Sequence, residues 1–232
     1  MMQNTSGPRP HAARRARGQD RSISILVDGP DLCGKSTLVN TLVQRLAADG
    51  YRVAQKKGVI QRRWIHRYLD RFDANKRHAS ALLNSLYLLS CFLDRAPVAD
   101  TDIVVCESFV DRVIAYGMTC RLKSLAPLAF LGRRLFRRFD LQVLLHASHA
   151  TRESRLKKRQ DATLIDRKTT ATADISWRFC EAFRASSRRS GNVIHEYDTG
   201  LVAVEEIVET LARRVRELKS LDRSASLDAL QA

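Results

Sequence analysis

Gly29-Pro30-Asp31-Leu32-Cys33-Gly34-Lys35-Ser36-Thr37 fits the pattern G-x-x-x-x-G-K-[ST], in which backbone N–H groups close around a phosphate. Gly29 and Gly34 permit the backbone angles that turn those donors inward. Lys35 brings a positive charge to the β- and γ-phosphates of a nucleotide, and the Ser36 hydroxyl is a ligand for Mg²⁺. The flanks supply the required setting. Ser22 to Asp28 holds Ile23, Ile25, Leu26 and Val27, a nearly continuous apolar run suited to a buried parallel strand. Leu38, Leu42, Val43 and Leu46 then recur at helical spacing, and Gly50 is a stop signal. A helix N-terminus directly after the loop adds its own affinity for phosphate. The expected cofactors are ATP and Mg²⁺, with Gly29 to Thr37 wrapped around the former.

Length and composition bound the rest. A chain of 232 residues with 44% hydrophobic content can bury one good core, so one domain is expected. Lys and Arg number 40 against 25 Asp and Glu, a net charge of +15. Nucleotide phosphates account for part of that excess. Nucleic acid is one reading of the remainder, but no RNA- or DNA-binding module is visible, and a generally arginine-rich surface is preferred. Cys33, Cys91, Cys106, Cys120 and Cys180 are widely spaced, with no C-x-x-C and no His at zinc-finger spacing. They read as small residues of a reducing compartment, and a cytoplasmic location is expected. The six histidines are scattered, so no metal cage is assigned. Residues 1–20 carry Arg9, Arg14, Arg15 and Arg17 without an apolar core, as a disordered basic tail would. The most apolar run, Ala79 to Leu93, is too short to span a membrane, and no membrane partner is expected.

In order, the chain predicts a strand over Tyr51 to Lys56 and an amphipathic helix within Gly58 to Arg77, where Trp64, Ile65, Tyr68, Leu69 and Phe72 share one face. Ala79 to Arg95 reads as a long helix, apolar nearly all round and therefore buried, which Pro97 helps to end. Ile103 to Cys106 is a strand with Glu107 at its C-terminal end, Asp111 to Met118 starts a helix, and Leu141 to Leu145 and Val193 to Tyr197 are strands. Val204 to Leu218 closes the domain as an amphipathic helix, leaving 219–232 as a flexible tail. Five strands joined by long crossovers predict an α/β fold with a parallel sheet and helices on both faces. Ligands of such sheets bind beyond the C-terminal strand ends, which gathers Asp28, Lys35, Glu107 and the segment after His146 around one crevice.

From about Ile23 to Leu218 the chain resembles the thymidylate kinase family, among the P-loop nucleoside and nucleotide kinases. Gly29 to Thr37 is similar to the family's G-x-D-x-x-G-K-[ST]-T loop. Leu93-Asp94-Arg95-Ala96 is similar to its A-x-D-R-A segment. Val104 to Phe109, Asp111 and Ala115-Tyr116 resemble its strand, D-R-Y and A-Y-Q. Asp140 to Leu145, then Arg155-Leu156-Lys157-Lys158-Arg159, resemble its P-D-L strand and the start of its phosphate-covering lid. The resemblance implies a three-layer kinase fold over 21–218 with an arginine-rich lid at about 151–170. It implies Asp31, Arg95, Phe109 and Tyr116 against the acceptor. Three departures stand out. D-R-Y reads Glu107-Ser108-Phe109, so its arginine is replaced by Ser108; the glutamine after A-Y is Gly117; and the loop arginine of some members is Leu32. An arginine from the lid is then implied, with Arg155 and Arg159 as candidates. Glu107-Ser108 and Asp111-Arg112 also resemble parts of deoxynucleoside kinases, whose strand end supplies a catalytic glutamate.

Phosphoryl transfer needs in-line positioning and cations for spreading negative charge, and arginine's planar fork suits two phosphate oxygens at once. Lys35, Glu107, Arg155 and Arg159 are the expected catalytic residues, and Ser36 and Glu107 the expected metal side. Plainer roles stand beside these: a structural Glu107–Arg112 pair, a structural cap by Asp31, a solvated face for the lid cations, and a helix-end charge for Arg95. The leading reading is Mg-ATP-dependent phosphorylation of a nucleoside monophosphate of thymidylate type. The alternatives are a nucleoside or other hydroxyl acceptor, and a nucleotide-switched module on nucleic acid. A homodimer stays open.

Overall fold

The computed structural model describes residues 21–58, 81–94, 100–160 and 164–231. The basic tail 1–20, the helix expected around Trp64 and the candidate Arg95 lie outside the described residues.

Five strands form one parallel sheet in the order β2-β3-β1-β4-β5: β1 Ile23–Asp28, β2 Val53–Lys57, β3 Ile103–Glu107, β4 Leu141–His146 and β5 Ile194–Asp198. The described helices are α1 Lys35–Ala48, α2 Ala81–Leu93, α3 Val110–Thr119, α4 Ala126–Leu131, α5 His149–Lys158, α6 Leu164–Thr170, α7 Ala173–Ser190 and α8 Val204–Gln231. Strand side chains alternate between faces, and the two cores follow from that period. Ile23, Ile25 and Val27 pack with Leu38 and Leu42 of α1 and Ile207 and Leu211 of α8. Leu26, Val104 and Cys106 pack on the other face with Ile114 of α3 and Phe183 of α7. The sheet is therefore hydrophobic on both sides and covered on both, as parallel strands require.

The strand order reverses at β1: the chain leaves it through α1 on one face to reach β2, and later passes back across it from β3 to β4 through α3 and α4 on the other face. Ligands of open α/β sheets bind at this switch point, and Gly29 to Thr37 leaves the C-terminal end of β1 there. Behind it, two fully buried side chains, Asp111 of α3 and Arg133, form a bidentate pair at 2.6 and 2.7 Å. Gln142 of β4 and Ser186 of α7 donate to the same carboxylate. Removing one member of such a buried pair strands the other charge, at a cost of about 3–5 kcal/mol.

Two expectations change, and one helix appears that the sequence reading does not name. Helix α2 is not buried all round: Leu82 and Leu89 are 58% and 45% exposed, because among the described residues α2 packs along one side, on α3 and α4. The closing helix does not stop at Leu218 but runs on to Gln231, and Lys219 of that extension is buried, donating to the Arg21 carbonyl at 2.9 Å. Helix α7, with Phe179, Cys180 and Phe183 on its buried side, carries an apolar stripe that the cation-rich segment before it obscured.

Candidate active site

The loop after β1 is held from outside by side chains. Each carbonyl from Gly29 to Gly34 has a donor. Lys35 Nζ reaches Gly29 O at 2.9 Å and Pro30 O at 2.6 Å. Arg112 Nη1 also takes Gly29 O at 2.7 Å. Arg152 Nε takes Asp31 O, Arg155 Nη1 takes Leu32 O, and the Thr199 hydroxyl takes Cys33 O. The Leu38 N–H takes Gly34 O. With the carbonyls spoken for, the first-turn N–H groups of α1 stay available; no side chain caps that helix, whose start is a left-handed Gly34 with φ 89°. A helix start of this kind, uncapped and continuous with a glycine loop, is an anion site.

Close packing explains the first glycine. A Cβ on Gly29 would sit 2.1 Å from the Leu145 carbonyl of β4, so any side chain there would push loop and sheet apart. Two residues other than glycine also take left-handed φ at the crevice, Leu32 at 65° and Ser108 at 65°. Backbone strain of this kind costs of order 1–3 kcal/mol per residue and gathers at functional sites.

Ser36 Oγ donates to Glu107 Oε1 at 2.9 Å, joining the start of α1 to the end of β3. Lys57 Nζ lies 3.2 Å from the same oxygen. The expected alternative partner of Glu107, Arg112, points elsewhere. Its Nη2 donates to Asp31 Oδ1 at 2.6 Å, its Nη1 lies 3.8 Å from Asp28 Oδ1, and its guanidinium stands 5.7 Å from the Phe179 ring. A hydroxyl and a buried carboxylate are hard oxygen donors, the type Mg²⁺ takes one or two at a time while phosphates and water complete its octahedron. Among the described residues no cluster of three His, Cys, Asp or Glu could hold a metal unaided. Ser36 and Glu107 thus fit a magnesium ion that arrives with a nucleotide.

The carboxylates divide by environment. Asp28 is fully buried; burial pushes its carboxyl up to about 6 despite Arg112, Lys35 and the N–H groups of Gly29 and Phe109. For Asp31 burial works in the same direction, but Arg112 and Lys35, with hydrogen bonds from Arg112 and Thr169, outweigh it and hold the carboxyl at about 2. Asp31 accordingly stands as a carboxylate between the loop and the helices α3 and α6. Tyr116 and Arg112 of α3, Thr169 of α6 and Ser176 and Phe179 of α7 line a narrow cleft beside it. Burial raises the Tyr116 phenol to about 12, leaving it a hydrogen-bond donor at neutral pH.

The residues named from the sequence are spread unevenly over this geometry. Lys35, Ser36, Glu107 and Asp31 come together at the switch point, with Tyr116 in the cleft wall. Phe109, expected against the acceptor, is instead fully buried, its ring edge-on to Phe139 at 5.3 Å; the strand-to-helix turn at Ser108 points it into the core. Arg155 reaches the loop and is held by Leu32 O, Thr199 Oγ1 and Thr199 O. Arg159 is 41% exposed and pairs with Asp166 at 3.6 Å. Two further arginines reach the site: Arg112, expected only as a partner of Glu107, and Arg152, expected only as one of the lid cations. Arg112 bridges loop and cleft. Arg152 is fully buried, its Nε on Asp31 O and its Nη2 on Thr169 O at 2.6 Å, while its Nη1 has no hydrogen-bond partner among the described residues. Burial lowers its pKa. The one local signal for Arg152 is its place three residues before Arg155, on the face of α5 that a helix turns toward the loop.

No protein-family profile matches the chain, and no curated protein sequence matches it. Among solved structures, the thymidylate kinase from Ehrlichia chaffeensis aligns with a TM-score of 0.57 at 13% identity, over 84% of this chain and 98% of that one. The sheet order, the loop at the switch point and this likeness agree: the chain has the five-stranded parallel α/β fold of the P-loop kinases.

Proposed function

We propose that the protein transfers the γ-phosphoryl group of Mg-ATP to a nucleoside monophosphate of thymidylate type. The observation that carries this reading is the junction of Lys35, inside a loop whose carbonyls are all capped, with the Ser36–Glu107 pair at 2.9 Å. Phosphoryl transfer is mostly positioning and charge neutralisation, and this junction supplies both. The loop N–H groups and Lys35 hold the phosphates. Ser36 and Glu107 would hold Mg²⁺, which would supply positive charge beside the phosphate oxygens. The lid arginines, with Arg152 ahead of Arg155 and Arg159, answer the charge that spreads in the transition state. The cleft beside Asp31 receives the acceptor, oriented by Asp31, Tyr116 and Arg95. The unbridged cysteines support a reducing, cytoplasmic setting.

A hydroxyl acceptor is the second reading, and one observation favours it. The position of the family's arginine after β3 is Ser108, and Arg112, the cation of the cleft wall among the described residues, is already answered by Asp31 and Asp28. Release of ADP with dTMP and with thymidine as acceptors tests both: faster turnover with dTMP supports the first reading, faster turnover with thymidine the second, and no ADP from either refutes both.

A further inference from the structure

Residues 121–139, between α3 and β4, contain six Lys or Arg and no Asp or Glu. Arg133 is spent on Asp111 inside the protein. Arg121, Lys123, Arg134 and Arg138 face solvent. Interleaved with them, Leu125, Leu128, Leu131 and Leu135 expose 50%, 66%, 65% and 61% of their surface. Helix α4 seats its alanines, Ala126 and Ala129, in the core and turns its leucines outward. The end of α7 extends the same face: Arg134 Nε donates to the Arg189 carbonyl at 3.1 Å, and Arg188 and Arg189 are exposed.

The position of this face matters as much as its chemistry. Asp140 N–H donates to Ser24 O, and β4 then starts in register with the first half of β1. The segment therefore ends at the N-terminal edge of the sheet, opposite the edge where Gly29 to Thr37 leaves β1. Its start adjoins the cleft beside Asp31, which Thr119 and Cys120 also line, while the phosphate loop lies at the opposite edge.

We propose that this face docks the protein on an anionic lipid bilayer. Exposed leucines gain by entering the boundary between headgroups and acyl chains, while arginines beside them meet lipid phosphates and carboxylates. Nucleic acid would use the arginines and leave four leucines in water. A second copy across a two-fold axis would bring the same cations face to face, with no acid in the segment to pair them. No helix among the described residues is long and apolar enough to cross a membrane, and lying on one needs only a face.

Flotation of the full chain with vesicles tests this, using phosphatidylcholine alone and phosphatidylcholine doped with phosphatidylserine. The expected result is binding to the doped vesicles only, weakened by salt. Each cation at an anionic surface is worth about fivefold in partition, so Arg134→Gln with Arg138→Gln lowers binding by about tenfold or more. Leu128→Gln with Leu131→Gln lowers it similarly; both pairs sit on exposed positions, so circular dichroism and ATP turnover stay as in the wild type. Binding that survives either pair, or a wild-type chain that stays with a single-stranded RNA oligonucleotide and not with the doped vesicles, would overturn the proposal. The outcome is independent of which acceptor, or whether any, is phosphorylated.

Discussion

Gly29 to Thr37 is built to grip with backbone; the lid that leans on it grips with side chains. In the loop, φ angles, the missing Cβ of Gly29 and the start of α1 set the geometry, and nine contiguous residues contain nearly all of it. On the lid side, Asp31 is held by Arg112 from 81 positions away and by Thr169 from 138. Arg152 ties the same residue's carbonyl to the lid helix. The first region takes its shape from local sterics, and Arg112, Arg152, Arg155 and Thr199 brace its carbonyls. The second is fixed by charged and polar contacts that a phosphate or acceptor can exchange for its own, so it is the half that can rearrange during turnover.

If that division holds, the largest loss comes from the loop's own cation. Lys35→Ala is expected to lower kcat by about 10³-fold or more, with an unchanged far-UV spectrum, since the Lys35 ammonium meets groups of its own loop, the Gly29 and Pro30 carbonyls, Asp31 and Cys33 Sγ. Near-wild-type turnover in the folded variant would break the site assignment. Next come the lid arginines, which the structure ranks. Arg152→Ala is expected to cost about 10²-fold in kcat, and Arg159→Ala, exposed and paired with Asp166, less than about threefold. Steady-state kinetics on both, with melting temperatures alongside, checks the order; a reversed order would return the charge-answering role to the outer lid.

The buried carboxylate behind the loop gives a smaller effect with a definite sign. The Asp28 carboxyl lies at about 6 when folded, above its ordinary value, so the native state holds an extra proton between pH of about 4 and 6. Its contribution to stability is full at low pH and is lost as pH rises through 6. Asp31, held at about 2, does the opposite: its contribution is present above pH of about 4 and lost as pH falls through 2. Urea unfolding of the wild type and Asp28→Asn from pH 4 to 7.5 is expected to show the wild type losing up to about 2–3 kcal/mol relative to the variant. Parallel profiles would mean that Asp28 is ionised at little cost. The smallest effect sharpens the contrast between the halves. Thr169→Val removes one hydrogen bond to Asp31, worth about 1 kcal/mol, and should lower kcat/KM for the acceptor by about fivefold while leaving the dissociation constant of ATP unchanged. Equal losses in both would show that α6 serves the loop rather than the cleft.

What could be read from the chain alone follows the same division. The strands around β1, the loop and α1 were legible because their signals are short-range: an apolar run, two glycines, a 3.6-residue stripe ended by Gly50. Lys35, Ser36 and Glu107 were legible for the same reason, each lying at the end of a recognisable strand or loop. Arg112 and Arg152 were not, because an arginine that turns inward looks like any other cation until its distant acceptor is known. Arg133 shows this most plainly, a fully buried residue in a run of exposed arginines whose partner Asp111 lies 22 positions earlier. Phe109 failed in the other direction. Its motif position put it near the acceptor, whereas the left-handed turn at Ser108 carries its ring into the core.

The central claim is that the loop and the Ser36–Glu107 pair transfer phosphate from Mg-ATP to a small acceptor. A coupled assay of ADP release across a panel of nucleoside monophosphates and nucleosides, run with wild type and Lys35→Ala in the presence and absence of Mg²⁺, tests it directly. The account predicts Mg²⁺-dependent ADP release that requires one class of acceptor, fastest with dTMP, and disappears in Lys35→Ala. ADP release that ignores the acceptor, or that persists in Lys35→Ala, would contradict it.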